Sequence, residues 1–197
     1  VSNLVVTDNN TWTSDTTPTI SFNVTDNIDE VINFTIFVDG TLINATSIAN
    51  DTQVSYVFES ALTEGTRSIV VEAMDEAGNR ANSSVLTLHV DSISPVSVIT
   101  SPSAGNTTDS TPTIVFNLTD NIDLNINYSV IVDGSVTNYS SAVNGTAVSL
   151  TLPTQTDGTY SIVVEALDNA SNRVNSSVLY LTVDTIAPWS NLSAPAN

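Results

Sequence analysis

The sequence predicts an all-β protein built of two tandem antiparallel β-sandwiches of about seven strands each. Three observations predict this fold class: the 197 residues repeat themselves once, apolar residues alternate with polar ones along short runs, and no comparable helical periodicity appears. Alternation at period two is typical of strands with one face in a core and one face in water. A repeat of roughly 100 residues is long enough to close a core of its own.

Aligning the chain with itself reveals the repeat. Thr16–Asp29 matches Ser110–Asp123 at an offset of 94 residues, and from Gly65, which matches Gly158, the offset is 93. One residue is therefore missing from the second copy, in a predicted loop where a deletion is tolerated. Because the chain starts without methionine and stops inside a repeat, we expect a segment of a longer protein. The predicted domains are residues 1–94, residues 95–187 and the start of a third copy at 188–197.

The alternation locates the strands of each copy. An opening run at Leu4–Val6 and a weaker one at Leu42–Ala45 complete a set of seven, separated by Asp-Gly, Asp-Asn and Gly-Asn turns. Seven short strands in a domain of this length are typical of an immunoglobulin-like sandwich. In the first copy the residues predicted to face the core are Ile20, Phe22, Val24, Ile32, Phe34, Ile36, Val38, Val54, Tyr56, Phe58, Ile69, Val71, Ala73, Leu86, Leu88 and Val90.

Two pairs of segments resemble a known family. Ala73–Asn79 and its counterpart Ala166–Asn172, followed by Val90–Pro95 and Val183–Pro188, resemble the tandem Ig-like repeats of large bacterial and archaeal surface proteins. In that family these segments form the turn between the last two strands and the link into the next repeat. The resemblance implies an extracellular, cell-surface location and a structural or binding role.

Charge and composition exclude several classes of partner. The chain has 21 acidic residues against 3 arginines and no lysine, a formal net charge of -18, so a nucleic-acid partner is excluded by repulsion. No run approaches the roughly 18 apolar residues of a membrane-spanning helix, and we expect no membrane span in this segment. Cysteine is absent, which excludes disulfides and thiolate metal sites.

Asn-x-Ser/Thr sequons are the strongest site signal. Fourteen occur, where independent placement would give roughly six, and their density predicts covalent N-linked glycans. Strand alternation places some of them on outward faces, where a sugar does not enter the core. The alternative is that Asn, Ser and Thr simply suit turns and outward strand positions. The candidate acceptors are Asn9, Asn23, Asn33, Asn44, Asn50, Asn82, Asn106, Asn117, Asn127, Asn138, Asn144, Asn169, Asn175 and Asn191.

Clustered acidic and amide residues in the turns suggest a calcium site between successive repeats. Ca²⁺ takes six to eight oxygen ligands from carboxylates, amides and carbonyls. The alternative is that these side chains cap their own turns through local backbone hydrogen bonds. The candidate ligands are Asp39, Asp91, Asp120, Asn121, Asp123 and Asp168.

No catalytic group is predicted. His89 is the only histidine, and its counterpart in the second copy is Thr182, so we expect a non-enzymatic protein. The leading interpretation is a structural surface-layer, sheath or filament subunit whose partners are other copies of itself in a lattice or fibre. An adhesin stalk or carbohydrate-binding module that contacts surface glycans stays open as the alternative, with Trp12 and Trp189 as stacking candidates. An accessory module of a secreted hydrolase is the third interpretation.

Overall fold

The computed structural model describes residues 9–192, and every regular element among them is a β-strand. The chain divides into two compact units, with the changeover between Ile93 and Ser94. Each unit is a sandwich of one large and one small sheet. The predicted all-β fold class with two tandem sandwiches is confirmed. Residues 9–192 contain no helix that could cross a membrane.

In the first unit the large sheet has the strand order β1-β8-β6-β3-β4, with β7 paired to the end of β6. Strands β1 and β8 run parallel, and the other pairs are antiparallel. The small sheet, within the described residues, pairs β2 with β5. The bounds are β1 (Thr11–Thr13), β2 (Thr19–Val24), β3 (Val31–Val38), β4 (Thr41–Ala49), β5 (Thr52–Val57), β6 (Gly65–Met74), β7 (Arg80–Asn82) and β8 (Leu86–Val90).

The second unit repeats this arrangement and has one further strand in its small sheet among the described residues. Its large sheet has the order β10-β17-β15-β12-β13, with β16 paired to β15, and its small sheet has the order β14-β11-β9. The bounds are β9 (Val96–Ser101), β10 (Gly105–Thr107), β11 (Thr113–Thr119), β12 (Asn125–Val132), β13 (Ser135–Val143), β14 (Ala147–Thr151), β15 (Gly158–Leu167), β16 (Arg173–Asn175) and β17 (Leu179–Val183).

Each unit closes its own apolar core between its two sheets. An edge-to-face aromatic pair lies at the equivalent place in each, Phe22 with Phe34 at 5.1 Å and Phe116 with Tyr128 at 5.0 Å between ring centroids. The first core comprises Ile20, Phe22, Val24, Ile32, Phe34, Ile36, Val38, Phe58, Ile69, Val71, Ala73, Leu88 and Val90. The second comprises Ile114, Phe116, Leu118, Ile126, Tyr128, Val130, Val132, Ala142, Leu152, Ile162, Val164, Ala166, Leu179 and Leu181.

Sequence alternation located the long strands but missed the short ones. The predicted opening strand at Leu4–Val6 lies outside the described residues, and the weak run at Leu42–Ala45 belongs to the longer β4. The three-residue strands β1 and β7 were not predicted, because each is too short to show alternation. Strand β1 is held by β8, far along the chain, and β7 is held by the end of β6 across a turn. After β17 the described chain continues to Leu192 without regular structure.

Both copies use a two-residue Asp-Gly hairpin between the third and fourth strands. Asp39 and Gly40 have φ of 50° and 78°, and Asp133 and Gly134 have φ of 48° and 79°. Positive φ at both central residues is the backbone of a type I′ turn, which matches the twist of the flanking strands. This turn sets the register that places Val38 opposite Thr41 and Val132 opposite Ser135.

Candidate glycan acceptors and acidic turns

Asn50 and Asn144 hold two turns of their own repeats together. The Asn50 Nδ2 donates to the carbonyls of Asp26 at 2.7 Å and Asp29 at 2.8 Å, and its Oδ1 accepts from the Asp26 amide at 3.0 Å. Asn144 makes the same bonds to Asp120 and Asp123, at 2.7, 2.7 and 3.2 Å. We call each of these three-bond arrangements the asparagine clasp. It ties the turn after β2 or β11 to the turn after β4 or β13.

The acid at the start of each clasped turn folds back on its own backbone. Asp26 Oδ1 accepts from the amides of Ile28 at 2.9 Å and Asp29 at 3.2 Å, and Asp120 Oδ1 accepts from Ile122 and Asp123, both at 2.9 Å. These are the local hydrogen bonds that favour Asp at turn positions. The amide donors of Ile28 and Asp29 hold the pKa of Asp26 below its usual value of 3.8, because they favour the charged carboxylate.

This pKa predicts an acid-dependent contribution to stability. Since the folded-state pKa of Asp26 is depressed, its stabilising effect is present above about pH 4 and is lost as the pH falls through the folded-state value. Asp26→Asn keeps an acceptor but does not titrate. We expect calorimetry to show a higher melting temperature for the wild type than for Asp26→Asn at pH 6. The difference should close as the pH falls through the depressed folded-state pKa of Asp26. Glu59→Gln, at an exposed carboxyl, is the charge-matched control. A difference that does not change with pH would contradict the assignment.

The predicted calcium ligands fall at one end of each unit. Asp39 and Asp91 follow the ends of β3 and β8 in the first unit, whereas Asp120, Asn121, Asp123 and Asp168 follow the ends of β11 and β15 in the second. Asp39 already pairs with Arg67 at 2.9 Å and accepts from the Ser68 amide at 2.8 Å. Asp91, Asp123 and Asp168 are buried and Asn121 is exposed. The calcium site between repeats stays a prediction.

The fourteen sequon asparagines occupy very different environments. Five sequons recur at equivalent positions of the two repeats, at Asn23 and Asn117, Asn33 and Asn127, Asn44 and Asn138, Asn50 and Asn144, and Asn82 and Asn175. The exposed asparagines are Asn9, Asn33, Asn82, Asn106, Asn169, Asn175 and Asn191, and the half-buried ones are Asn23, Asn44, Asn50, Asn117, Asn127, Asn138 and Asn144. The Asn-x-Ser/Thr pattern therefore includes both exposed and half-buried asparagines, and the sequence prediction did not distinguish between them.

Some half-buried sequon asparagines are restricted by the protein, through a hydrogen bond or through burial of the side-chain oxygen. Asn23 Nδ2 donates to Asp51 Oδ1 at 3.1 Å. Asn44 and Asn138 lie at the middle of β4 and β13 on the core-facing side, in line with Ile48 and Ala142, and their Oδ1 atoms are buried. Among the exposed ones, Asn9 accepts a hydrogen bond from the Thr87 amide through its Oδ1 at 2.8 Å. The Asn9 Nδ2 atom takes no part in this bond.

The aromatic candidates differ in availability. Trp12 stacks on His89 with ring centroids 4.6 Å apart, and the His89 ring also contacts Thr66 Oγ1 and Asn10 Oδ1 at 2.9 and 2.8 Å. One face of the Trp12 ring is thus covered by its own unit. Trp189 is 84% exposed.

All three arginines are committed to acidic partners. Arg67 pairs with Asp39 at 2.9 Å and Arg173 with Glu165 at 2.9 Å, and Arg80 pairs with Glu72. The chain contains no lysine, so every Lys or Arg side chain in it is in an ion pair. The exclusion of nucleic acid stays a prediction from the charge of the sequence.

Each of the two units is a sandwich of a large and a small sheet, and the large sheets have the same strand order. This arrangement defines a protein of tandem Ig-like repeats. The family model described as "Bacterial Ig-like domain" matches residues 5–92 and 100–185. The chain therefore belongs to the bacterial Ig-like domain family and contains two tandem copies of that domain. No curated protein sequence gave a significant match.

The chain is also similar to solved structures at low sequence identity. The fibronectin(III)-like modules of Clostridium thermocellum CbhA are 16% identical, with 97% of this chain and 98% of that chain covered and a TM-score of 0.49. A 1.5-MDa bacterial ice-binding adhesin is 18% identical, with coverages of 87% and 59% and a TM-score of 0.43. A tetra-tandem repeat from the extending region of a large adhesion protein is 21% identical, with coverages of 93% and 48% and a TM-score of 0.38. This chain spans less than two thirds of the last two.

Proposed function

We propose that this chain is a structural segment of an extracellular, cell-surface protein, such as a surface-layer, sheath or filament subunit. Its glycosylated Ig-like repeats would set the distance between the parts of the protein that they connect. The observation that carries the proposal is that each repeat closes its own core while the same sequons recur at five equivalent positions. Such repeats can be added without a new core, so chain length scales with repeat number. The proposed role is non-catalytic.

The surface chemistry supports an extracellular, hydrated position. The net charge is -18 and the three arginines are neutralised by carboxylates, so the exposed surface combines acids with Asn, Ser and Thr. A strongly acidic surface keeps repeats apart except where contact surfaces lack charge. N-linked glycans on this surface would add hydroxyl groups that bind water.

The proposed partner is another copy of the chain, joined along the outer edges of the large sheets. Strands β4 and β13 each run for nine residues, pair on one side only among the described residues, and contain no charged residue or proline. An edge strand usually carries such residues because they prevent pairing with another chain. In a chain of net charge -18, these two long uncharged edges let copies approach at low electrostatic cost.

The test combines localisation with assembly. Immunogold electron microscopy of native cells is expected to show dense, regular labelling over the outer surface, and the purified chain is expected to associate with rising concentration in analytical ultracentrifugation. Ser47→Lys with Ser141→Lys, at exposed outward positions of the two edges, should abolish this association. Ser60→Lys with Ser103→Lys, at exposed loop positions, is the control with the same change in charge.

The outcomes separate the two candidate roles. Sparse labelling that extends away from the cell, with a monomeric chain that binds surface glycans, would replace the lattice proposal by the adhesin-stalk alternative. The exposed Trp189 is the feature that favours glycan contact. Labelling confined to the cell interior would contradict both.

A further inference from the structure

Both Nδ2 hydrogens of each clasp asparagine are used in hydrogen bonds, and a glycan bond would have to replace one of them. An N-glycosidic bond replaces one Nδ2 hydrogen by a sugar carbon, and Asn50 and Asn144 each donate to two backbone carbonyls through that nitrogen. One hydrogen bond would therefore be lost, and the sugar would have to enter a space in which carbonyl oxygens already lie at 2.7–2.8 Å. The folded repeat is incompatible with a glycan at these two positions.

Four other sequons lie in pairs, two on one surface of each repeat. In the first repeat Asn33 lies opposite Met74, and Asn82 lies opposite Glu72, so both side chains project from the outer face of the large sheet. Asn127 opposite Leu167 and Asn175 opposite Glu165 repeat this placement in the second. Two strand spacings and an offset of two residues along the strands put the two asparagines of a pair roughly 12 Å apart. We call the surface around each pair the glycan face.

The glycan face leaves its asparagine amides available for modification. Asn33, Asn82 and Asn175 are exposed and Asn127 is half-exposed, and within residues 9–192 none of the four makes a side-chain hydrogen bond. The ion pairs Glu72–Arg80 and Glu165–Arg173 lie on the same faces, beside the asparagines. A sugar at any of the four positions extends into solvent without disturbing a protein contact.

We propose that the chain's sequons are divided by structure into two functional sets. Asn33, Asn82, Asn127 and Asn175 are glycan acceptors that cover the outer face of each large sheet, whereas Asn50 and Asn144 are unmodified residues that hold the fold. This inference rests on the proposed N-glycosylation for its first set only. The second set depends solely on hydrogen bonding and holds whether or not sugar is attached.

Peptide-resolved mass spectrometry of native protein tests the division. We expect glycan on the four peptides of the glycan face and none on the peptides with Asn50 or Asn144. Sugar at Asn50 or Asn144 in folded protein would overturn this inference and leave the proposed function standing. Glycan elsewhere but not on the four face positions would also overturn it. Bare peptides at all fourteen sequons would overturn the acceptor set together with the glycosylation in the proposed function.

Thermal unfolding of the chain made in a host without N-glycosylation tests the clasp independently. Asn50→Ala and Asn144→Ala should each lower the melting temperature of their repeat by about 5–10 °C. Thr52→Val and Thr146→Val destroy the same sequons but keep the clasp, and Asn33→Ala removes an asparagine without a bond. These three controls should shift it by less than about 2 °C. Equal shifts for Asn50→Ala and Asn33→Ala would overturn the structural role.

Discussion

Phe116→Ala is expected to lower the free energy of unfolding of the second repeat by about 3–5 kcal/mol. Phe116 is fully buried between the sheets, and its ring contacts that of Tyr128 edge to face at 5.0 Å. Truncation removes the apolar area of the ring and leaves a cavity that the surrounding strands cannot close, because their backbone hydrogen bonds fix their positions. Phe116→Leu should lose less, since most of the volume is kept.

Differential scanning calorimetry of the whole chain measures this loss. Because the two cores share no residue, the transition of the second repeat should move to lower temperature. Phe22→Ala, at the equivalent place in the first core, should instead move the transition of the first repeat. Val115→Ala is the control, since its side chain lies on the outward face beside Phe116 and should cost about 1 kcal/mol or less. A Phe116→Ala loss no larger than this control would show that the two sheets do not share a tightly packed core.

Ser176→Ala is expected to lower the free energy of unfolding of the second repeat by about 1–3 kcal/mol. The buried Ser176 hydroxyl accepts from the Val164 amide at 3.0 Å and donates to the Ser177 carbonyl at 3.0 Å, at the break between β16 and β17. At this break, the Ser176 hydroxyl oxygen accepts the hydrogen bond from the Val164 amide of β15 that a carbonyl of a neighbouring strand would otherwise accept. Alanine leaves a buried amide without a partner, and that desolvation accounts for most of the loss.

Chemical denaturation of unglycosylated protein measures this effect, with Ser177→Ala as the matched control because that side chain is exposed. Ser83 makes the same pair of bonds in the first repeat, to the Val71 amide at 3.0 Å and the Ser84 carbonyl at 2.8 Å, so Ser83→Ala should behave alike. Faster hydrogen exchange at Val164 in Ser176→Ala would identify the lost bond directly. If Ser176→Ala and Ser177→Ala were equally stable, the serine would have no role in joining the broken strand.

The fold was predictable from local pattern to a large extent. Alternation along Ile20–Val24 and Ile32–Val38 assigns each residue to a face, and the structure buries every residue that this alternation places inward. The short strands β1 and β7 were missed because a three-residue run has no measurable period. Strand β1 forms because it pairs with β8, which follows much later in the chain. Strand β7 forms because it pairs with β6, from which a turn separates it.

The candidate sites were predictable as residue types but not as roles. Asn50 and Asn33 satisfy the same sequon rule, yet Asn50 binds carbonyls 21 and 24 residues away and Asn33 projects from a sheet. One signal could have separated them: Asn50 and Asn144 recur at equivalent positions between the weak predicted fourth run and the next predicted strand, where the chain must turn. Likewise Asp39 was a candidate calcium ligand by composition, and only the packing of β3 against β6 brings Arg67 and the Ser68 amide to its carboxylate.

By itself, the sequence determined the number of repeats, the strand faces and the sign of the surface charge, since these depend on neighbouring residues and on sums over the chain. Only the tertiary structure decided which asparagines are clasps and which acids already have partners. Those roles depend on hydrogen-bond distances between turns that are far apart along the chain. Such distances are set when the two sheets pack, and no local pattern contains them.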